Sequence, residues 1–599
     1  MENNRNFFIT IALSVLILTL WQVFYMNPRI EAQRQQQQVE TQREQAAQQA
    51  AQPGNDIPTA APQGAIPGGP VDATAANRAQ ALGAAGQRVK IETPSLSGSI
   101  NLVGGRLDDL KLKDYRETVE PNSPIIDLLS PQSLPKGYFA ELGFTGAGDV
   151  GALPGPDTVW TADGTELTPA KPITLTFVND KGLTFKRTIS VDSEYMFTVT
   201  DTVTNDSGQP VTLSGYGRVT RFGKPEHASI YVLHEGLIGV TGEEGLQEIT
   251  YSKIEDDKQI KPGKSEDGWL GITDKYWAVA LVPSGKQAFQ PAFSYFDDGR
   301  PRFQADFLTD GFTIAPGQSA TLENLVFAGA KEVATINNYE KDRNIRQFDL
   351  MIDWGWFYFI TKPMFQLIDF LYKMLGNFGL AILATTVVVK LIFYPLANKS
   401  YKSMAKMKLV QPKMLEIREK YADDKMKQQQ AMMELYKTEK INPLAGCWPV
   451  LVQIPVFFAL YKVLYITIEM RHAPFYGWIQ DLAAPDPTSI FNLFGLLPFA
   501  VPAFLMIGVW PIIMGVTMFL QMRMNPTPPD PAQAMIFNWM PVIFTFMLAS
   551  FPAGLVIYWA WNNFLSIVQQ GVIMKRQGAK IELWDNLVGL FRKKPKTAE

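Results

Sequence analysis

The chain has 599 residues, with 55 Lys+Arg against 58 Asp+Glu for a net charge of -3, and 46% of it is hydrophobic. This balance excludes a uniformly basic nucleic-acid binder, so no DNA partner is expected, and the length amounts to three to five units at ~100–200 residues per domain. A single cysteine (Cys447) excludes a disulfide framework, a Cys-ligated zinc site and a CxxC redox pair; three histidines (His227, His234, His472) show no metal-ligand spacing, and without phosphate-cradling or nucleophile motifs nothing supports energy-coupled or hydrolytic chemistry, so no cofactor is expected.

Nineteen of the 22 Met lie from Met351 onward, while residues 27–350 hold one, Met196. Two materials are therefore joined, a soluble domain and a membrane-embedded one. Residues 6–28 are uncharged for 23 positions. About 20 apolar residues cross a bilayer, and no A-x-A-like cleavage site follows, so residues 1–28 read as an uncleaved signal-anchor span. Residues 29–88, rich in Gln, Ala, Pro and Gly without apolar periodicity, read as a flexible linker.

Over 89–342 the pattern alternates, as in Ile173, Leu175, Phe177, then Leu183, Phe185, Ile189, Val191, with turn clusters at 179–182 and 205–208. Period two with regular turns predicts an antiparallel β-sandwich, in which Trp160 and Trp269 suit core packing better than a ligand cleft. Residues 343–375 interleave Trp354, Trp356, Phe357, Phe359 and Phe365 with Asp353, Lys362, Asp369 and Lys373, the pattern of an amphipathic interfacial helix.

A second span is expected at 376–398, its apolar run broken by Lys390, and a helical hairpin at 399–441. In the hairpin Met407, Val410, Met414, Ile417 and Tyr421 keep 3-4-3-4 spacing, Asp423-Asp424 marks the turn and Asn442-Pro443 the stop. A third span follows at 446–469, containing Lys462 near its outer end, where snorkelling is the simplest reading. A loop at 470–488 leads to 489–522, read as an interfacial piece plus span four, broken by Pro498, Pro502 and Pro511. After a loop at 523–534, spans five and six fill 535–551 and 552–574, with Phe551-Pro552-Ala553-Gly554 as the hinge, and 575–599 is a basic tail.

Residues 398–441 hold 11 Lys/Arg against 6 Asp/Glu and the tail 7 against 3. The positive-inside rule puts both in the cytoplasm. They share a side only if 487–522 crosses an odd number of times, which makes six spans with both termini cytoplasmic and 29–375 outside. The basic exterior of the hairpin suits anionic headgroups and an RNA-rich or acidic partner equally.

Lys390 sits about 12 Å from the inner end of its span at ~1.5 Å per residue. A central lysine costs on the order of 2.5–3.5 kcal/mol, so such residues face a bundle interior or water. Thr386 and Tyr394 flank it at i-4 and i+4, and Tyr558, Asn562, Ser566 and Gln569/Gln570 form a second polar stripe on the last span. Two such stripes describe a wet, positively charged groove; a snorkelling lysine is the plainer alternative. The methionines at 506, 514, 518, 535, 540 and 547 suit adaptable groove walls and ordinary core filling equally.

The segments TTVVVKLIFYPLANKSYKSMAKMKLVQPK (385–413), MMELYKTEKINPLAGCWPVLVQIPVFFALY (432–461) and MPVIFTFMLASFPAGLVIYWAWNN (540–563) resemble the YidC-type membrane protein insertases, in the Gram-negative form with a large periplasmic domain. The resemblance implies an α-helical polytopic protein with a five-span insertase core, an inserted periplasmic sandwich and a cytoplasmic hairpin. It implies a non-enzymatic insertase and chaperone of the bacterial inner membrane, acting alone or beside the Sec translocon. Lys390, Thr386, Tyr558 and Trp559 match groove positions of that family. The hairpin and tail would then receive nascent inner-membrane proteins, the ribosome and the signal-recognition-particle receptor, next to membrane lipid. The long 487–522 segment departs from shorter family examples.

Two other classes compete. A coupled transporter would show paired intramembrane carboxylates or internal repeats, and neither is present. An anchor displaying a sugar-binding sandwich leaves Lys390 and the hairpin without a role.

Overall fold

The computed structural model describes residues 75–576 apart from 226–232, 284–286, 423, 440–447, 498, 500, 503–504 and 525–530, and apart from the side chains of 448–452, 495 and 531–534. The expected signal anchor, residues 29–74 of the linker, the hairpin's Asn442-Pro443 stop and nearly all of the tail lie outside the described residues.

Among the described residues, two sheets of eleven and nine strands share one apolar core. In the nine-stranded sheet Ser319–Ala330 lies between Met196–Asn205 and Trp277–Val282, all antiparallel. In the eleven-stranded sheet Val211–Phe222 lies between Tyr138–Gly146 and Arg302–Thr309. One pairing is parallel, Arg88–Glu92 beside Glu166–Leu167. Strand Leu183–Val191 alternates as its sequence does, and its inward face includes Arg187. That guanidinium is tolerated because it pairs through two bonds with Asp201 across the ladder (2.8 and 3.0 Å). Trp160 and Trp269 are both buried in the core.

The domain starts earlier than residue 89. Helix α1 (Arg78–Ala84) is capped by Asn77, and Arg78 bonds Asp109, Ser130 and the Leu129 carbonyl. Residues 78–88, read as linker, thus belong to the fold. A seven-residue helix with one buried residue, Ala81, leaves no periodicity to find.

Helices α2 (Tyr251–Asp257) and α3 (Val333–Asp342) complete the domain. The stretch expected as one helix over 343–375 is split. Gln347 (φ 51) and Gly355 (φ 71) adopt left-handed conformations, which no helix continues through. Helix α4 (Tyr358–Leu375) therefore begins only after them, burying Thr361, Met364, Phe365 and Ile368 at helical spacing.

Helix α5 (Phe378–Ile392) is capped by Asn377. It ends before Pro395, which lacks an N–H and clashes with the preceding turn. The chain bends by 68° into α6 (Tyr394–Leu409), so the expected span 376–398 is not one straight rod. Helices α7 (Gln411–Lys420) and α8 (Lys425–Thr438) fold back on each other, with Val410 and Met414 buried against Met432, Leu435 and Tyr436. Asp424 caps α8. Then follow α9 (Trp448–Ile466), α10 (Val509–Met524), α11 (Pro531–Leu548) and α12 (Ala553–Arg576).

Among the described residues no single helix is long and apolar enough to cross a membrane, and α5 with α6 qualifies only as a bent pair. Pro455 and Pro541 lie inside α9 and α11, which continue through them. The described parts of the apolar run 487–522 include a kinked 3-10 segment (Ile490–Gly495) and α10. Asp486, 2% exposed, accepts from Trp478 Nε1 (3.0 Å), Thr488 N (3.0 Å) and Trp510 N (2.9 Å), and so fastens the preceding loop to the start of α10.

Candidate functional site

The longest helix among the described residues, α12, ties the bundle together through its polar face. Tyr558 accepts a hydrogen bond from Gln453 of α9, and Asn563 Nδ2 donates to Thr517 Oγ1 of α10 (3.4 Å). Ser566 Oγ accepts from Lys390 Nζ of α5 (2.7 Å) and itself donates to the Asn562 carbonyl (2.8 Å). The Trp561 indole donates to the Leu383 carbonyl (3.2 Å), fixing α5 alongside.

Lys390, Gln453 and Gln569 open onto a narrow cleft of about 40 Å³, walled by Phe393, Tyr401 and Val456. No carboxylate among the described residues pairs with Lys390, whose ammonium rests on one neutral hydroxyl. A cation so held inside an apolar bundle is poised to attract an anionic group, because the low local dielectric strengthens that attraction.

The four residues singled out in the sequence have different surroundings. Lys390 and Tyr558 join the polar cluster. Thr386 is buried one turn from Lys390, with its hydroxyl given to the Ile382 carbonyl (2.8 Å). Trp559 packs between Phe457 and Phe544, with ring centroids 4.7 and 5.6 Å away, and joins α9 to α11. Sequence reasoning passed over Gln453, although it is the sole polar side chain in the run 448–460. Of the methionines, Met514 and Met518 are core, whereas Met535 and Met547 are exposed.

Lys462 does not snorkel. Its Nζ lies 2.7 Å from Asp353 Oδ2, and both side chains are 14% exposed. A carboxylate presented at that depth makes pairing more favourable than stretching toward headgroups.

The N-terminal end of α12 is covered. Ala553 N and Gly554 N donate to the Ala484 and Leu482 carbonyls (2.7 and 3.0 Å), so the loop after α9 lies over the end of the bundle opposite to the hairpin helices.

Residues 88–367 match the family model for the YidC periplasmic domain, and residues 370–580 match that for the 60Kd inner membrane protein. The chain is 73% identical over 605 residues to the membrane protein insertase YidC of Mesorhizobium japonicum, with 100% of each chain covered. It is 68% identical over 609 residues to that of Brucella suis, again with 100% of each covered. A crystal structure of an active YidC insertase with its first transmembrane domain resolved aligns over 80% of this chain and 92% of that one, at 18% identity and a TM-score of 0.34. The chain belongs to the YidC family of membrane protein insertases, with a periplasmic β-rich domain followed by a helical C-terminal part.

Proposed function

We propose that this insertase passes the polar flank of a client segment through the cleft at Lys390, from the cytoplasm outward, while the apolar part of the client moves sideways into lipid. The observation that carries this reading is the Lys390–Ser566 contact inside an apolar bundle, next to an open cleft. Leu, Ile, Phe and Val each contribute about -0.3 to -0.6 kcal/mol at a helix centre, so a client segment of about 20 residues inserts downhill without nucleotide hydrolysis. The obstacle is its charged flank, at about 2.5 kcal/mol or more per group in bare lipid. Lys390 offsets that cost by pairing transiently with acidic flank residues. Gln453, Gln569 and Tyr558 supply exchangeable hydrogen bonds in place of water. Thr386 and Trp559 set the spacing of α5, α9 and α11 around the cleft.

The topology that goes with this reading has six spans: 1–28, 376–398, 446–469, one within 489–522, 535–551 and 552–574. Both termini and the 399–441 hairpin are cytoplasmic, and residues 29–375 are periplasmic, with α4 at the outer interface. Exposed Trp356, Tyr358, Phe359 and Phe370 support the last assignment. The basic hairpin and tail suit the ribosome, the signal-recognition-particle receptor and anionic lipid. Action beside the Sec translocon, and assistance with client folding, complete the reading.

A photo-crosslinker replacing Leu396, at the cleft rim, tests it. Stalled nascent chains of a single-span client should crosslink there when the acidic flank reaches the cleft, and lose the crosslink when that flank is neutralised. A crosslink indifferent to flank charge would contradict the role of Lys390.

A further inference from the structure

Lys462 sits in the last turns of α9, and its Nζ donates to Asp353 Oδ2 at 2.7 Å. The same carboxylate oxygen accepts the backbone N–H of His234 in the β domain (2.8 Å), and Asp353 Oδ1 accepts that of Gly355 (3.1 Å). One side chain thus joins the β domain, the turn before α4 and the outer end of α9. Gly355 is part of the arrangement. Its φ of 71° folds the turn over Lys462, and a Cβ there would stand 3.4 Å from Lys462 Cε. Two further ties hold the chain just beyond α9. Glu469 Oε1 accepts from Val333 N at the start of α3 (2.7 Å). Arg471 donates to the Arg116 carbonyl (2.6 Å), with its guanidinium over the Trp277 ring at 5.3 Å.

Gln453, the α9 residue of the cleft, lies nine residues before Lys462, or about 13.5 Å along the same helix. Helices turn as units. A rotation of roughly 30° at a side-chain radius of ~6 Å moves a side-chain tip by about 3 Å, enough to break the Gln453–Tyr558 bond.

We propose that Asp353 and Lys462 form a positioning pair on the outer side, which sets the rotation of α9 and thereby holds Gln453 against Tyr558 at the Lys390 cleft. The inference rests on the cleft being the route of the client. The pair suits this task better than apolar packing does. Packing tolerates small rotations, whereas separating the two charges takes the opposite charge away from two side chains that are each only 14% exposed, at high cost. The pair also joins the β domain to the cleft without placing any β-domain residue in it.

The test measures client insertion in proteoliposomes, as a rate per folded molecule, with the folded fraction read by thermal unfolding. Asp353→Asn is isosteric and keeps an acceptor for His234 N, so it isolates the charge. Asp353→Asn and Lys462→Met should each slow insertion roughly threefold or more, Lys462→Arg should retain most of it, and Lys462→Met should add nothing in a Gln453→Ala background. Unchanged rates per folded molecule, or losses that multiply with Gln453→Ala, would overturn the pair's role. Lys390→Ala in the same assay separates the two readings. If it alone slows insertion, the cleft stands and the positioning pair falls; if it has no effect, the cleft itself falls.

Discussion

Ser566 has a modest task, one hydroxyl against one ammonium, yet it decides where the charge of Lys390 is held. Both residues were legible in the sequence because an α-helix brings i and i±4 onto one face, so polar residues at that spacing in apolar runs draw attention. Gln453 escaped that pattern as a single polar residue without a stripe. Asp353 escaped it entirely, since its partner lies 109 positions away and no local rule connects them. Residue-scale electrostatics in the β domain make a separate prediction. Burial pushes the Asp306 carboxyl up to about 6 and the His234 imidazole down to about 4. Asp306 therefore contributes stability at low pH that is lost as pH rises through about 6, whereas the contribution of His234 is present above ~6.5 and lost as pH falls through about 4. Between these values the two slopes oppose each other. Asp306→Asn should therefore make thermal stability fall more steeply than in wild type as pH drops from 6 to 4. Parallel curves would contradict the assignment.

Elements whose pattern repeats were the readable ones. Strands with period two, such as Leu183–Val191, and the seam of α7 and α8 around Met414 emerge as their spacing implies. The segment 343–357 did not, because its aromatic content resembles a helix face while Gln347 and Gly355 break the backbone. Prolines also count more than apolar length. Pro395 bends α5 away from α6, and the 487–522 run holds one α-helix rather than a continuous one. Close approach between elements makes the prediction at this scale. Gly379 in α5 faces the ring of Phe475 so tightly that an added Cβ would overlap it. Gly379→Ala should cost about 1–3 kcal/mol by overpacking. Adding Phe475→Ala should recover part of that loss, so that the double variant is less destabilised than the sum of the two. Additive losses in unfolding measurements would show that the two residues do not press on each other.

At the scale of the molecule, charge and hydropathy divide the chain as its two family matches do, at about residue 370. What composition could not reveal is how the two parts are fastened. Asp353, Glu469 and Arg471 do this with few groups, at the C-terminal end of α9. Deletion of residues 89–342 leaves Asp353 and Lys462 in the chain, and should leave client insertion within about threefold of wild type if the β domain is not part of the route. Extending the deletion through 357 removes Asp353 and should depress insertion well below that. Equal activity of the two truncations, measured per folded molecule, would contradict this division of labour.

On the proposed reading, a partly buried cation at position 390 carries the polar flank of a client across. The most direct measurement of this is protease protection of an acidic client tail in liposomes that contain the purified protein, without nucleotide or any other translocase. Wild type and Lys390→Arg should protect the tail, and Lys390→Ala should lose most of that protection while remaining folded. Full protection by Lys390→Ala would rule out that role for Lys390.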